Sequence, residues 1–378
     1  MLSRFTSVML TFLFIMAGKA FAQKAENCNC TDIMRFVQQK VETVYAGFPN
    51  KVTAANKKEY DLLLKMLIKQ SSAIHNVDSC YLLTRQYTAF FKDAHVRTQY
   101  NWEYVRQHRE RIDSLKKVMY NGKVLTSHIT NSTAFKQIDD STVLLTLPSF
   151  EQKYKAIIDS LVKSNVELLK ATPHLIVDLR NNDGGYDMTY ASLMPFIYSN
   201  PFVVYYREVR VSPDAIALYK EALGKPDIGD QMKAFFDRAI ALLEERKAGF
   251  VNFAGKCTDT IKMELFFSRP ERVSIITDRA TGSSAENFVS MARQSKRVTV
   301  FGDNTRGVVD YGDVVWLNPP GCPFMELVIP TQRSCRLSEA TVDSIGFPPD
   351  VRIPADVDAY QYILDWVTKQ SVRSKINP

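Results

Sequence analysis

Four short apolar runs beyond residue 140 limit the fold of this chain more than any other feature. "TVLLTL" (142–147), "HLIVDL" (174–179), "VSIITD" (273–278) and "RVTVFG" (297–302) are rich in Val, Ile and Leu and have the length of buried strands. Helical patterns separate them: "YKAIIDSLVKSNVELLK" (154–170), "YDMTYASLMPFIYS" (186–199), in which Pro195 should introduce a kink, and "SAENFVSMARQ" (284–294). Strands alternating with helices predict an α/β domain with a mostly parallel sheet. "FVVYYREVRV" (202–211) reads as a further strand, residues 213–248 as a largely helical insertion, and "DVVWLN" and "MELVIPT" as a β-rich C-terminal part.

The chain before this rhythm is different. In "TDIMRFVQQKVETV", Ile33, Phe36, Val37, Val41 and Val44 share one helical face, and Thr31 or Asp32 is the expected N-cap. "EYDLLLKMLIKQ" and "SCYLLTRQYTAFF" repeat the pattern. Residues 23–100 are therefore expected to form a small helical domain packed on its own apolar stripes, with the α/β domain over 101–378. The first 22 residues read as a secretory signal peptide: Arg4, the apolar "VMLTFLFIMAG", and Ala20–Ala22 before Gln23. An uncleaved membrane anchor stays open as the other reading. Cleavage predicts a secreted or periplasmic protein.

The net charge of +7 falls to +5 without Arg4 and Lys19, and no dense basic stripe with interleaved aromatics accompanies it, which argues against nucleic acid as a partner. Cys28, Cys30, Cys80, Cys257, Cys322 and Cys335 suit disulfides in an exported chain; the Cys28/Cys30 pair is placed to staple the N-terminus to the next helix through Cys80, while the full connectivity stays open. No C-x-x-C or His ligand spacing points to a metal, and no cofactor is expected.

Two turns carry the chemistry. In "TGSSAE" (281–286) Ser283 stands just before a helix, beside free N–H groups and the positive end of the helix dipole. It is either a nucleophile, with the N–H of Ser284 stabilising an oxyanion, or one half of a capping box with Glu286. In "DLRNNDGG" (178–185) a buried strand ends in a turn where Gly184 and Gly185 permit close backbone approach, and their N–H groups are candidates for the rest of an oxyanion hole. A serine nucleophile needs a base. Among His75, His95, His108, His128 and His174, His95 in "FFKDAHVRTQY" is the candidate.

These segments, in this order, resemble the tail-specific or C-terminal processing family of serine peptidases, and within it the tricorn-like, His-based branch. "DLRNNDGG", "TGSSAE", "GDNTRG" (302–307), "DAH" (93–95) and "DSIGFPPDVRI" (343–353) are similar to its D-L-R-x-N-x-G-G, T-x-S-x-x-E, G-E-x-T-x-G, D-G-H and E-x-x-G-V-x-P-D signatures. The resemblance implies a crotonase-like ββα core and a serine endopeptidase in which Ser283 attacks, His95 is the base and Asp343 orients it, with Asp310 and Asp313 ranked behind Asp343. Glu286 is expected to hold the turn.

The departures from the family pattern are specific. Val308 stands where Ser–Lys members carry lysine, Asp343 replaces a glutamate, and Ala94 replaces the serine that some members place before the histidine. The stretch between His95 and residue 142 is too short for a PDZ module. A member that has lost its chemistry and binds peptides or small molecules is the alternative.

Overall fold

In a computed structural model of the chain the described residues are 28–119, 132–226 and 228–376. The expected leader at 1–22, its cleavage site and His128 lie outside them. At the centre is a six-stranded sheet in the order Val351–Arg352, Val298–Gly302, Arg272–Thr277, His174–Asp178, Thr142–Thr146, Ala134–Asp139. All neighbours run parallel except the last pair. The apolar runs are continuous because both faces are covered. Leu175, Val177, Val273 and Ile275 face a core built with helices Lys155–Ser164 and Ser284–Ala292. Ile176, Ile276 and Phe301 face the other way, onto Ala359 and Ile363 of helix Ala359–Ile376. This two-sided alternation fixes the register, since a slip of one residue would exchange the two cores.

A second, antiparallel sheet is organised around strand Met325–Ser334, which pairs with Arg97–Tyr100, Tyr311–Leu317 and Arg207–Arg210. It gives the N-terminal helices their partner. Ile33, Val37, Leu67 and Tyr87 share one apolar cluster with Tyr311, Met325, Leu327 and Ile329, so the helices do not pack on their own stripes alone. The disulfide Cys28–Cys322 joins the same two regions; Cys30–Cys80 and Cys257–Cys335 are the other bridges.

Local chemistry departs from expectation in three places. Asn29, not Thr31 or Asp32, caps the first helix, Cys30–Thr43, and its side chain accepts the N–H groups of both. The helix expected through Pro195 is a 3-10 turn, Asp187–Leu193, followed by a short α-helix, Met194–Ile197, with the proline in its first turn, where its missing N–H costs nothing. "FVVYYREVRV" divides at Tyr206 into strands Phe202–Tyr205 and Arg207–Arg210, which belong to different sheets. The insertion forms helices Pro213–Leu223 and Asp230–Arg246, the first capped by Ser212 and opened by Pro213. Among the described residues no helix is long and apolar enough to cross a membrane.

Candidate active site

Strand Arg272–Thr277 delivers the chain to the C-terminal edge of the parallel sheet, where open α/β sheets place their sites. Asp278 then folds the turn: its carboxylate accepts the N–H groups of Ala280 and Thr281 at 2.9 Å, and that of Asn181 from the neighbouring loop. Ser283 follows at φ 53° and ψ −121°, immediately before helix Ser284–Ala292. An ordinary N-cap residue lies in the extended region. A non-glycine residue in this region costs on the order of 1–3 kcal/mol, and such strain gathers at functional positions. The sharp strand-to-helix turn lifts the half-buried Ser283 side chain to the rim of the sheet.

Glu286, fully buried, explains how the turn is held. Its carboxylate accepts from Ser283 N (3.2 Å), Thr305 Oγ1 (2.6 Å), Gly307 N (2.7 Å) and Val308 N (2.8 Å). Burial raises its pKa while these four donors act in the opposite direction. It therefore binds the "GDNTRG" segment to the serine turn, the positioning role expected of it. Val308, in the position of the family's lysine, is buried and contributes its backbone.

The loop after strand His174–Asp178 meets the serine turn closely. Gly184 (φ 99°) has no room for a side chain: a Cβ there would lie 2.7 Å from the Ser283 Cβ and from the Ser284 nitrogen. Ser284 Oγ donates to the Gly185 carbonyl at 2.9 Å, and Gly282 N–H to that of Asn182 at 2.8 Å. The N–H of Gly184 is taken by Asn182 Oδ1 at 3.0 Å. Among the described residues no acceptor takes the N–H of Ser284 or of Gly185. Of the three expected oxyanion donors, these two are left without an acceptor.

His95 stands on the loop before strand Arg97–Tyr100, its own N–H held by Asp93 Oδ1 at 2.8 Å. The ring Nδ1 lies 2.9 Å from the Tyr311 carbonyl oxygen. A carbonyl only accepts, so Nδ1 carries the proton and Nε2 the lone pair. Burial, then the charges of Arg97, Arg207 and Arg306, push the imidazole down to about 4, keeping it neutral near pH 7. Arg306 connects the two halves of the site: its stem packs 3.2 Å from where a Gly282 side chain would begin, and its charge reaches His95. No hydrogen bond joins His95 to Ser283; in unliganded enzymes such contacts are often long and tighten with substrate.

The sequence pattern of Peptidase family S41 matches residues 141–353, more than half of the chain. The chain belongs to peptidase family S41. Its members are serine peptidases, which makes this a serine-type peptidase with peptide or protein substrates. No curated protein matches it by sequence. Mature CPAF complexed with lactacystin is 11% identical over 93% of this chain and 99% of its own, with a TM-score of 0.62. A lipoprotein from Streptococcus agalactiae is 14% identical over 90% of this chain and 97% of its own, with a TM-score of 0.52. At these identities the likeness speaks for the fold.

Against the S41 pattern, the carboxylate expected behind the histidine is displaced. Asp343 does not touch His95; it is ion-paired with Lys51 from the N-terminal helical region, and its other oxygen is buried without a partner. Burial, followed by repulsion from Asp93, raises its pKa. Asp310 is committed elsewhere, accepting from Arg336 (2.5 Å), Thr341 Oγ1 (2.5 Å) and the N–H groups of Val342 (2.8 Å) and Asp343 (2.9 Å). Asp313 accepts from Gln332 at 2.6 Å. Ala94 is exposed.

Sequence reasoning missed the Tyr311 carbonyl as the partner of His95 Nδ1, and no side-chain motif could have shown it. Lys51 and the arginines at 97 and 207 were missed as well. They belong to elements joined to the site only by the tertiary fold.

Proposed function

We propose that this S41 member is an exported serine endopeptidase that works through Ser283 and His95. Ser283 Oγ attacks the scissile carbonyl carbon as His95 Nε2 takes its proton. The N–H groups of Ser284 and Gly185 receive the oxyanion. Nε2–H then protonates the leaving amine, and water, activated by the same nitrogen, hydrolyses the acyl-enzyme. The Tyr311 carbonyl keeps the ring in the required tautomer, a role that a carboxylate fills in the best-known triads.

The observation that carries this reading is the backbone of Ser283. Ser283 also forms the capping box with Glu286, but a cap needs no positive φ, and this strained strand-to-helix turn is the backbone that presents a nucleophile. Export is supported by the leader pattern at 1–22 and by three disulfides, which persist in oxidising compartments. The test is cleavage of unfolded casein and of a quenched peptide library by the wild type and by Ser283→Ala. Loss of all cleavage in the variant, with folding retained, is the expected result; equal cleavage overturns the reading. The absence of a Ser283–His95 hydrogen bond favours one competing reading, a binding protein that keeps the fold without turnover. It predicts peptide binding with no cleavage by the wild type.

A further inference from the structure

A cavity of ≈ 480 Å³ opens beside the first two turns of the serine-bearing helix, lined by Asn287, Ser290 and Met291 of that helix and by Asp187 and Tyr190 after the double glycine. Its lining begins three residues after Ser284 on the helix and two residues after Gly185 on the facing loop. Its walls are mostly apolar, with Met194, Phe202, Val204 and Met263 among them. Three charged side chains reach it. Asp187 is exposed at the rim and already accepts from Asn287 Nδ2 at 3.2 and 3.1 Å. Arg336 is neutralised by Asp310 at 2.5 Å. Arg207 is different. Its Nη2 makes one long bond, 3.3 Å, to the Val309 carbonyl, its Nη1 is buried without a partner, and among the described residues no carboxylate lies within ion-pair distance. The guanidinium is held in place by packing onto Gly312, where a Cβ would lie 2.7 Å from Nη1.

An arginine kept in a mostly apolar pocket with no carboxylate in direct contact, its charge met only through space by Asp187 at the rim and by Asp313, is suited to a ligand that brings one, because guanidinium matches a carboxylate in charge and in planar geometry. We propose that this cavity is the specificity pocket of the enzyme and takes an acidic substrate side chain, glutamate, flanking the scissile bond. The methylenes would lie along the methionine and aromatic walls and the carboxylate against Arg207. This rests on the peptidase reading above and adds the substrate class.

The test is binding, so that it does not depend on turnover. Fluorescence anisotropy with Ser283→Ala protein would compare labelled hexapeptide pairs that differ only in Glu or Gln, scanned through each position. At one position Glu should bind at least about tenfold more tightly than Gln, as charged hydrogen bonds imply. Arg207→Met should bring that ratio close to one, and Arg207→Lys should retain part of it. A ratio near one at every position overturns the proposal whether or not the variants fold, and so does a Glu preference that survives Arg207→Met. A failure of Ser283 to react with hydrolase probes would instead sink the peptidase reading and leave this result standing.

Discussion

His95 gives its Nδ1 proton to the main-chain carbonyl of Tyr311, 2.9 Å away, and not to a carboxylate. A carbonyl fixes ring orientation and tautomer as a carboxylate does, but it supplies no full negative charge to stabilise the imidazolium. Burial and the nearby arginines outweigh this carbonyl, which acts to raise the pKa, and leave a base that stays neutral down to about pH 4.

The first consequence is kinetic. An unperturbed histidine would give kcat/KM an acid limb near about 6.5. Here the limb is expected near 4, the value to which burial and Arg97, Arg207 and Arg306 push His95. The pH profile of kcat/KM on a quenched peptide checks this; a limb at or above 6 would mean that the ring is solvated in the working enzyme. The same shift works on stability. Between about 4 and 6.5 the unfolded chain binds a proton that folded His95 refuses, so this contribution grows as pH rises through that window and is lost on acidification.

Asp343→Asn separates the carbonyl-oriented histidine from a triad. Removing the acid of a carboxylate triad costs about 10⁴ in turnover. Because Asp343 pairs with Lys51 and not with His95, the expected loss of kcat/KM is under about tenfold, below the range for general acid–base effects. Thermal denaturation of the same variant should show a lowered Tm, since Lys51 loses its partner. A fall of thousands in kcat with an unchanged KM would restore Asp343 to the catalytic machinery.

Glu286→Ala should be severe. It removes the acceptor of four donors at a fully buried site, each worth about 1–3 kcal/mol when left unsatisfied. Urea unfolding should show a loss of at least about 3 kcal/mol on that basis. Activity should fall with it, because the "GDNTRG" segment would no longer hold Ser283 in its strained conformation.

Cys28–Cys322 spans 294 residues and ties the N-terminal helices to the antiparallel sheet that carries Tyr311. Replacing both cysteines by serine should lower stability by about 2–5 kcal/mol, read from chemical denaturation under oxidising conditions. The loss should come with weakened retention of Lys51 near the site, since Phe48 and Val52 on either side of it pack against the cluster that contains both cysteines.

Much of the fold was legible because the parallel sheet is buried on both faces, and that forces short continuous apolar runs such as "HLIVDL" and "VSIITD". The serine turn and the double glycine were legible because each needs particular residues in a particular order. The partner of the N-terminal helices was not, since the apolar stripe through Ile33 and Val37 looks the same whether it meets a helix or the strand Met325–Ser334. "FVVYYREVRV" could not announce its division at Tyr206, because both halves have strand composition and only hydrogen bonding to two different sheets separates them. The Tyr311 carbonyl was invisible for a stronger reason: every residue has one, and only the fold brings this one to His95.

The most direct measurement is labelling of the purified protein with a fluorophosphonate probe, with the modified residue mapped by mass spectrometry beside Ser283→Ala and His95→Ala. The account predicts a phosphonyl group on Ser283, absent from the first variant and slowed by about 10⁴ or more in the second. Folded wild-type protein that stays unlabelled, or labelling that survives Ser283→Ala, would contradict it.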